Sequence, residues 1–149
     1  EDALQTEFKR LKRSGHQGTL LMCDIDHFKP INDGYGHAAG DVVIRQVAQA
    51  VKKNLRETDV AGRYGGEEFA VLLVDTTADQ ALYFAERLRK TVEALSMEFN
   101  QQLLKATVSV GIAEYTPDML EHRQWIEAAD KALYTSKTDG RNRVTVAAK

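Results

Sequence analysis

The 149-residue chain is 43% hydrophobic and 28% charged, the balance of one ordinary globular domain with a real core and not of a disordered or membrane protein. Its formal net charge of −2 offers no basic excess for gripping a nucleic acid polymer, so any phosphate binding has to be local. The single cysteine, Cys23, excludes an internal disulfide, suits a reducing compartment, and within an apolar run reads as a small buried residue. No apolar run approaches membrane-spanning length, and the polar, acidic start is unlike a signal peptide. The chain therefore reads as a single domain, residues 1–149, cut from a longer protein.

Leu4, Phe8 and Leu11 fall at helical spacing among charges and predict a first helix over 3–13. Residues 14–18 break it. Residues 19–25 form a short apolar run, the mark of a strand buried on both faces, which ends in acid at Asp24 and Asp26. A loop containing Pro30, Gly34 and Gly36 then leads to a helix opening near 38–41. Its predicted core stripe is Ile44, Val47, Ala48, Val51 and Leu55. Asp41 lies in the first turn, where a carboxylate favours the helix dipole.

Residues 60–64 alternate, and 69–74 are almost continuously apolar. Between them lies Gly65-Gly66-Glu67-Glu68, a hairpin signature in which two glycines would supply the positive-φ positions of a tight primed turn. Missing side chains also let another molecule approach the backbone. Alone, this reads as a plain hairpin tip with solvated acids. A helix over about 78–95 follows, with Ala81, Ala85, Leu88, Val92 and Leu95 as its stripe. Residues 97–99 and 105–113 then read as a second hairpin across 100–102, with Ala106, Val108, Val110 and Ile112 on one face and Thr107 and Ser109 on the other. A last helix over about 121–138, stopped by Gly140, and a short strand at 144–147 complete the chain. The central order β-α-β-β-α-β predicts an α+β, ferredoxin-like sheet with additional helices and a second hairpin.

In such a sheet the first strand neighbours the central hairpin, which brings Asp24 beside Glu67 and Glu68. Two unit charges about 5 Å apart repel by roughly 3 kcal/mol at an effective dielectric near 20, so the cluster calls for a cation. Oxygen-only donors suit magnesium or manganese and not zinc. Magnesium usually completes its shell with water and substrate phosphates, which points to a nucleoside triphosphate.

The run Asp24-Ile25-Asp26-His27-Phe28-Lys29-Pro30-Ile31-Asn32-Asp33, then Tyr35-Gly36-His37, Gly40-Asp41 and Arg63-Tyr64-Gly65-Gly66-Glu67-Glu68-Phe69, closely resembles the GGDEF domains of bacterial diguanylate cyclases, in the GGEEF form of their signature. Thr107-Val108-Ser109-Val110-Gly111 and Ala129-Asp130-Lys131-Ala132-Leu133-Tyr134, with Lys137, Gly140, Arg141 and Asn142, carry the likeness nearly to the C-terminus.

The resemblance implies condensation of two GTP molecules into cyclic di-GMP with release of two pyrophosphates. It implies Asp24, the Ile25 carbonyl and Glu67, with Glu68 sharing the task, as ligands of two Mg2+ or Mn2+ ions per half-site. Glu67 is then also the group that helps deprotonate the attacking 3′-hydroxyl. Asn32 and Asp41 resemble the guanine readers, supported by His37. Phe28, Lys29, Lys137 and Arg141 resemble the triphosphate cradle, with Lys29 also stabilising developing charge. Singly, most of these read more simply, Asp41 as a helix-start acid, Lys29 and Lys137 as solvated cations and His37 as a polar loop residue; the joint spacing favours function. Trp125 reads as packing.

Arg56-Glu57-Thr58-Asp59 resembles the family's RxxD product-inhibition site, with Arg87 where a second product-binding arginine is expected. The family's usual opening motif, Asp-x-Leu-Thr-Gly-Leu followed by Asn-Arg, is absent and reads as truncation. The implied enzyme works as a homodimer in the cytoplasm, with no membrane contact by this domain although the parent protein can be anchored. The alternative is a module that binds GTP or cyclic di-GMP and signals without chemistry; retention of both signature acids favours catalysis. A different nucleotidyl cyclase or a polymerase-palm relative would share the metal logic but not Asn32 with Asp41 and the RxxD spacing together.

Overall fold

The structure, a computed structural model, describes residues 2–148. Helix α1 (Asp2–Ser14) precedes strand β1 (Gly18–Ile25), followed by α2 (Phe28–Tyr35) and α3 (His37–Lys53). The hairpin β2 (Val60–Arg63) and β3 (Glu68–Val74) leads to α4 (Ala78–Ala94). Two short strands, β4 (Met97–Phe99) and β5 (Gln102–Leu104), come before β6 (Val108–Glu114), α5 (His122–Thr138) and β7 (Val144–Val146). The main sheet has the order β2-β3-β1-β6-β7. Its first four strands carry the β-α-β-β-α-β order that the sequence predicts, with β1 antiparallel to both β3 and β6, and β7 added in parallel to β6.

Every residue of β1 is buried, because helices cover both faces of the sheet. On one face Leu21, Cys23 and Ile25 pack with Val71, Leu73, Val108, Val110 and Ile112 under α3 and α4. On the other, Leu20 and Met22 join Leu72 and Ala113 beneath α1 and α5. Trp125 is fully buried there, donates its indole N–H to the Ala113 carbonyl at 2.7 Å, meets Tyr115 edge-on and packs against a tilted Phe8 ring. Burial of this kind contributes about 1.5–3 kcal/mol per large apolar side chain. It also pushes the Cys23 thiol up to about 12, helped by the charge of Asp24, so Cys23 is inert.

Four local expectations change. The predicted loop after β1 is the helix α2: His27 takes a left-handed φ of 56° to start it, and Gly36, at φ 94°, closes it by donating its N–H to the Asn32 carbonyl at 2.8 Å. Pro30 sits in the first turn, where its missing N–H costs nothing, and the buried Ile31 with the half-buried Phe28 anchors the short helix to the core. Helix α3 accordingly opens at His37, so Asp41 lies beyond its first turn. Its stripe centres on Ala39, Val43, Val47, Ala50 and Val51, with Ile44 and Ala48 at the margin and Leu55 past its end.

The Gly65-Gly66 pair does not take left-handed φ angles. Arg63 pairs with Phe69, and Tyr64 N–H donates to the Glu68 carbonyl at 2.8 Å, leaving a three-residue loop in place of a two-residue primed turn. Both residues of a primed turn occur instead at Asn100 and Gln101, with φ of 49° and 65°. They join β4 to β5, with Phe99 opposite Gln102. The partner of β4 is therefore β5, while β6 belongs to the main sheet. The short β5, exposed at Gln102 and Leu103, suits a small surface ribbon, and β6, buried along almost its whole length, suits the sheet interior.

Candidate active site

The carboxyl end of β1 is where the chemistry-bearing residues gather. The antiparallel register sets Asp24 directly opposite Glu68, and Ile25 N–H donates to the Glu67 carbonyl at 3.2 Å. Asp24 is buried; Glu67 and Glu68 are half-buried. The last turn of α5 delivers Lys137, whose ammonium pairs with Asp24 Oδ2. Burial pushes the Asp24 carboxyl above its ordinary range; Lys137 opposes this, and Glu67 and Asp26 add to it. Burial likewise pushes Glu68 up, reinforced by Asp24 and Asp130, opposed by Lys137, and reinforced again by Glu67. Asp130, two turns before Lys137 on α5, is a further acid here that the sequence reading does not assign to the site; its spacing of seven from Lys137 is the sign that both share one helix face.

Among the described residues no three acidic, histidine or cysteine side chains form a closed metal-binding group. The acids adjoin, and a single ammonium, that of Lys137, pairs with one of them, Asp24. Lys137, expected on phosphate, is placed on Asp24.

Asn32 projects from α2 onto the start of α3. A Cβ on Gly40 would lie 1.8 Å from Asn32 Oδ1 and 3.0 Å from the Phe28 ring, so only glycine permits this approach. Asn32 Oδ1 is buried without a hydrogen-bond partner, an arrangement that ordinarily costs about 1–3 kcal/mol. His37 and Asp41 are exposed on α3 nearby in sequence. Lys29 is exposed and pairs with Asp33 at 3.2 Å, one turn along α2. Arg141 lies on the turn after α5, exposed, at a left-handed φ of 64°.

The residues expected at the second site lie close together. Arg56, Asp59 and Arg87 line one cavity of about 310 Å³ with Asn54, Thr76 and Tyr83. Arg56 grips Asp59 through two hydrogen bonds of 3.0 and 2.9 Å and reaches the Val74 carbonyl and Thr76 Oγ1. Burial alone would raise the Asp59 carboxyl, but the Arg56 guanidinium and the backbone N–H groups of Arg56 and Val74 outweigh it and hold it below the ordinary range. Arg87 donates to Asn54 Oδ1 at 3.0 Å.

An α+β fold with a paired-acid edge and a glycine-bearing hairpin defines the class, and comparison with known proteins gives the family. The family described as "Diguanylate cyclase, GGDEF domain" matches residues 1–143. The chain belongs to the diguanylate cyclase GGDEF domain family. It is 50% identical to Diguanylate cyclase A of Treponema denticola over 128 residues, covering 86% of this chain and 34% of that protein. The GGDEF domain with coiled coil of DgcB from Caulobacter crescentus, solved in complex with c-di-GMP, is 37% identical, with a TM-score of 0.93 over 98% of this chain and 78% of that one. The active GGEEF domain of a diguanylate cyclase from Vibrio cholerae is 29% identical, with a TM-score of 0.92 over 99% of this chain and 94% of that one. The chain spans about a third of the length of the Treponema denticola relative. No helix among the described residues is long and apolar enough to cross a membrane.

Proposed function

We propose that this chain is the catalytic part of a diguanylate cyclase, joining two GTP molecules into cyclic di-GMP and releasing two pyrophosphates. The observation that carries the reading is the placement of Asp24 opposite Glu68 with Glu67 alongside. This all-oxygen donor set lies at a strand end where burial, with the neighbouring acids adding to it, raises the Asp24 and Glu68 carboxyls, and Asp24 holds Lys137.

That donor set fits divalent magnesium or manganese. Asp24, the Ile25 carbonyl, Glu67 and Glu68 are the residues to hold two such ions, which when bound supply positive charge to phosphate oxygens. Glu67 accepts the proton of the ribose 3′-hydroxyl. As the 3′-oxygen forms its bond to the α-phosphorus of the other nucleotide, the bond to the bridging oxygen breaks and pyrophosphate leaves; a second such transfer closes the ring. Lys137, turned from Asp24, Arg141 and Lys29 bind the triphosphate, beside the backbone at Phe28. Asn32 and Asp41 read the guanine edge with His37 flanking them, and the unpartnered Asn32 Oδ1 supports this reading because it awaits a polar partner. Around Gly66 nothing lies within 4 Å of where a Cβ would stand, which leaves room for a nucleotide over the hairpin.

The two half-sites come from two copies of the domain, since the hydroxyl of one nucleotide must reach the α-phosphate of the other. Cyclic di-GMP also binds at Arg56, Asp59 and Arg87 and limits its own synthesis. The reaction belongs to the cytoplasm, with the domain free of the membrane.

The test is to incubate the protein at high concentration with GTP and magnesium, to separate the products by chromatography, and to repeat with Glu67→Gln. Cyclic di-GMP and pyrophosphate from the parent, reduced at least a hundredfold in the variant, are expected on the usual scale for loss of an essential proton acceptor, about 10²–10⁴. Binding of GTP without turnover at any protein concentration would overturn catalysis and favour a binding module.

A further inference from the structure

Outside the paired acids, the most heavily hydrogen-bonded carboxylate at this end of the sheet is Asp26. It is only 4% exposed and accepts three hydrogen bonds: from Ser109 Oγ at 2.7 Å, from Thr107 Oγ1 at 2.7 Å and from the backbone N–H of Asn142 at 3.0 Å. The first two fix the carboxylate to β6 at Ser109 and to the residue just before it, Thr107. The third reaches the turn between α5 and β7, where Gly140, Arg141 and Asn142 take φ angles of 128°, 64° and 47° in succession. Two consecutive non-glycine residues in the left-handed region persist only where their surroundings hold them. Those surroundings are visible. Arg141 N–H donates to the Ser136 carbonyl at 2.9 Å, Asn142 Nδ2 to Glu93 at 2.7 Å, and Arg89 to Asn142 Oδ1 at 3.0 Å.

From this we infer that Asp26 is a positioning residue: its buried carboxylate clamps the Asn142 N–H, holds the left-handed turn, and so sets Arg141 where it can reach the triphosphate. The inference rests on the proposed role of Arg141 as a phosphate ligand. Asp26 itself touches no substrate. It differs from Asp24, two residues earlier, in being saturated by hydroxyl and amide donors instead of sharing a lysine.

The test is a double-mutant cycle on GTP binding in the presence of magnesium, with Asp26→Asn and Arg141→Ala made singly and together in the full chain. Asp26→Asn is expected to weaken GTP binding about tenfold in the parent and less than twofold when Arg141 is already alanine. Equal weakening in both backgrounds overturns the inference, because Asp26 would then act on the fold or on the field at Asp24, both of which survive in the Arg141→Ala chain. No weakening in the parent overturns it as well. Thr107→Val, which removes one donor from the same oxygen and keeps the carboxylate, is the milder variant and is expected to weaken binding about threefold with the same dependence on Arg141. Amide hydrogen exchange at Asn142 separates this inference from the functional reading. Protection in the parent that is lost in Thr107→Val or Asp26→Asn establishes the clamp even if GTP neither binds nor reacts, in which case the functional reading fails alone. An unchanged Asn142 exchange rate overturns the clamp whatever the nucleotide assays give.

Discussion

Asp24 is held above its ordinary value of 3.8, chiefly by burial. A carboxyl raised on folding binds its proton more tightly in the fold than in the unfolded chain, so its effect on stability is most favourable below that ordinary value and declines as pH rises through the raised folded value. Above this window the fold carries an ionised, desolvated carboxylate that Lys137 only partly offsets. Asp24→Asn is therefore expected to raise the melting temperature of the nucleotide-free protein at pH 7. A gain on the order of 1 kcal/mol corresponds to about 2–4 °C in a chain of this size, and it should vanish below about pH 4. Thermal melts of parent and variant across pH 4–8 check this, and a variant less stable at pH 7 would contradict it. The same substitution removes a proposed metal ligand, so stability and activity should move in opposite directions, as expected where a site is built at the expense of the fold.

Gly40 gives a second test at this scale. Its Cβ would stand 1.8 Å from Asn32 Oδ1, so Gly40→Ala must turn the Asn32 amide away. Because Gly40 is itself helical, alanine improves helix propensity by up to about 1 kcal/mol. The expected result is a fold of unchanged or slightly higher stability with GTP affinity reduced about tenfold, measured by titration and thermal melting together.

At the scale of elements, the packing of α5 on β6 is set by one residue. A Cβ on Gly111 would lie 2.2 Å from the Ala129 carbonyl oxygen and 2.2 Å from the Leu133 nitrogen, both backbone atoms. Backbone cannot yield as a side chain can, so Gly111→Ala should cost about 1–3 kcal/mol or more through overpacking. Since α5 carries Lys137, turnover should fall with it. Equilibrium denaturation with an unchanged midpoint would contradict this packing.

The elements also show what the residues alone could reveal. Long amphipathic helices such as α4 are legible because their apolar stripe keeps one period throughout; the reciprocal cap of Thr77 and Gln80 that fixes its start is added by the structure. Helix α2 was hidden because Pro30, Gly34 and Gly36 outweigh two apolar anchors in any local reading, and only docking of Ile31 against the core decides the matter. The primed turn was expected at the glycine pair and formed at Asn100-Gln101, since φ above zero is permitted by glycine but imposed by strand register.

For the molecule as a whole, the strand order placed the site. Once β1 lies between β3 and β6, Asp24 has to meet Glu68, and the prediction of adjoining acids followed from the β-α-β-β-α-β pattern. What pattern could not supply was the side-chain traffic between distant elements. Lys137 on Asp24 bridges 113 positions and Asn142 on Asp26 bridges 116, and neither partner is implied by spacing. Arg56 similarly serves the fold before it serves any ligand, tying the turn before β2 to the one after β3 through Asp59, Val74 and Thr76.

An active edge bearing Asp24, Glu67 and Glu68 holds half of what the proposed reaction needs. The most direct measurement is the initial rate of cyclic di-GMP formation per mole of chain, with magnesium and saturating GTP, over a hundredfold range of protein concentration. The account predicts a specific rate that climbs with concentration before levelling off as two copies pair, with two pyrophosphates per cyclic dinucleotide throughout. A specific rate independent of concentration down to the lowest protein level, or GTP consumption without a cyclic dinucleotide, would contradict it.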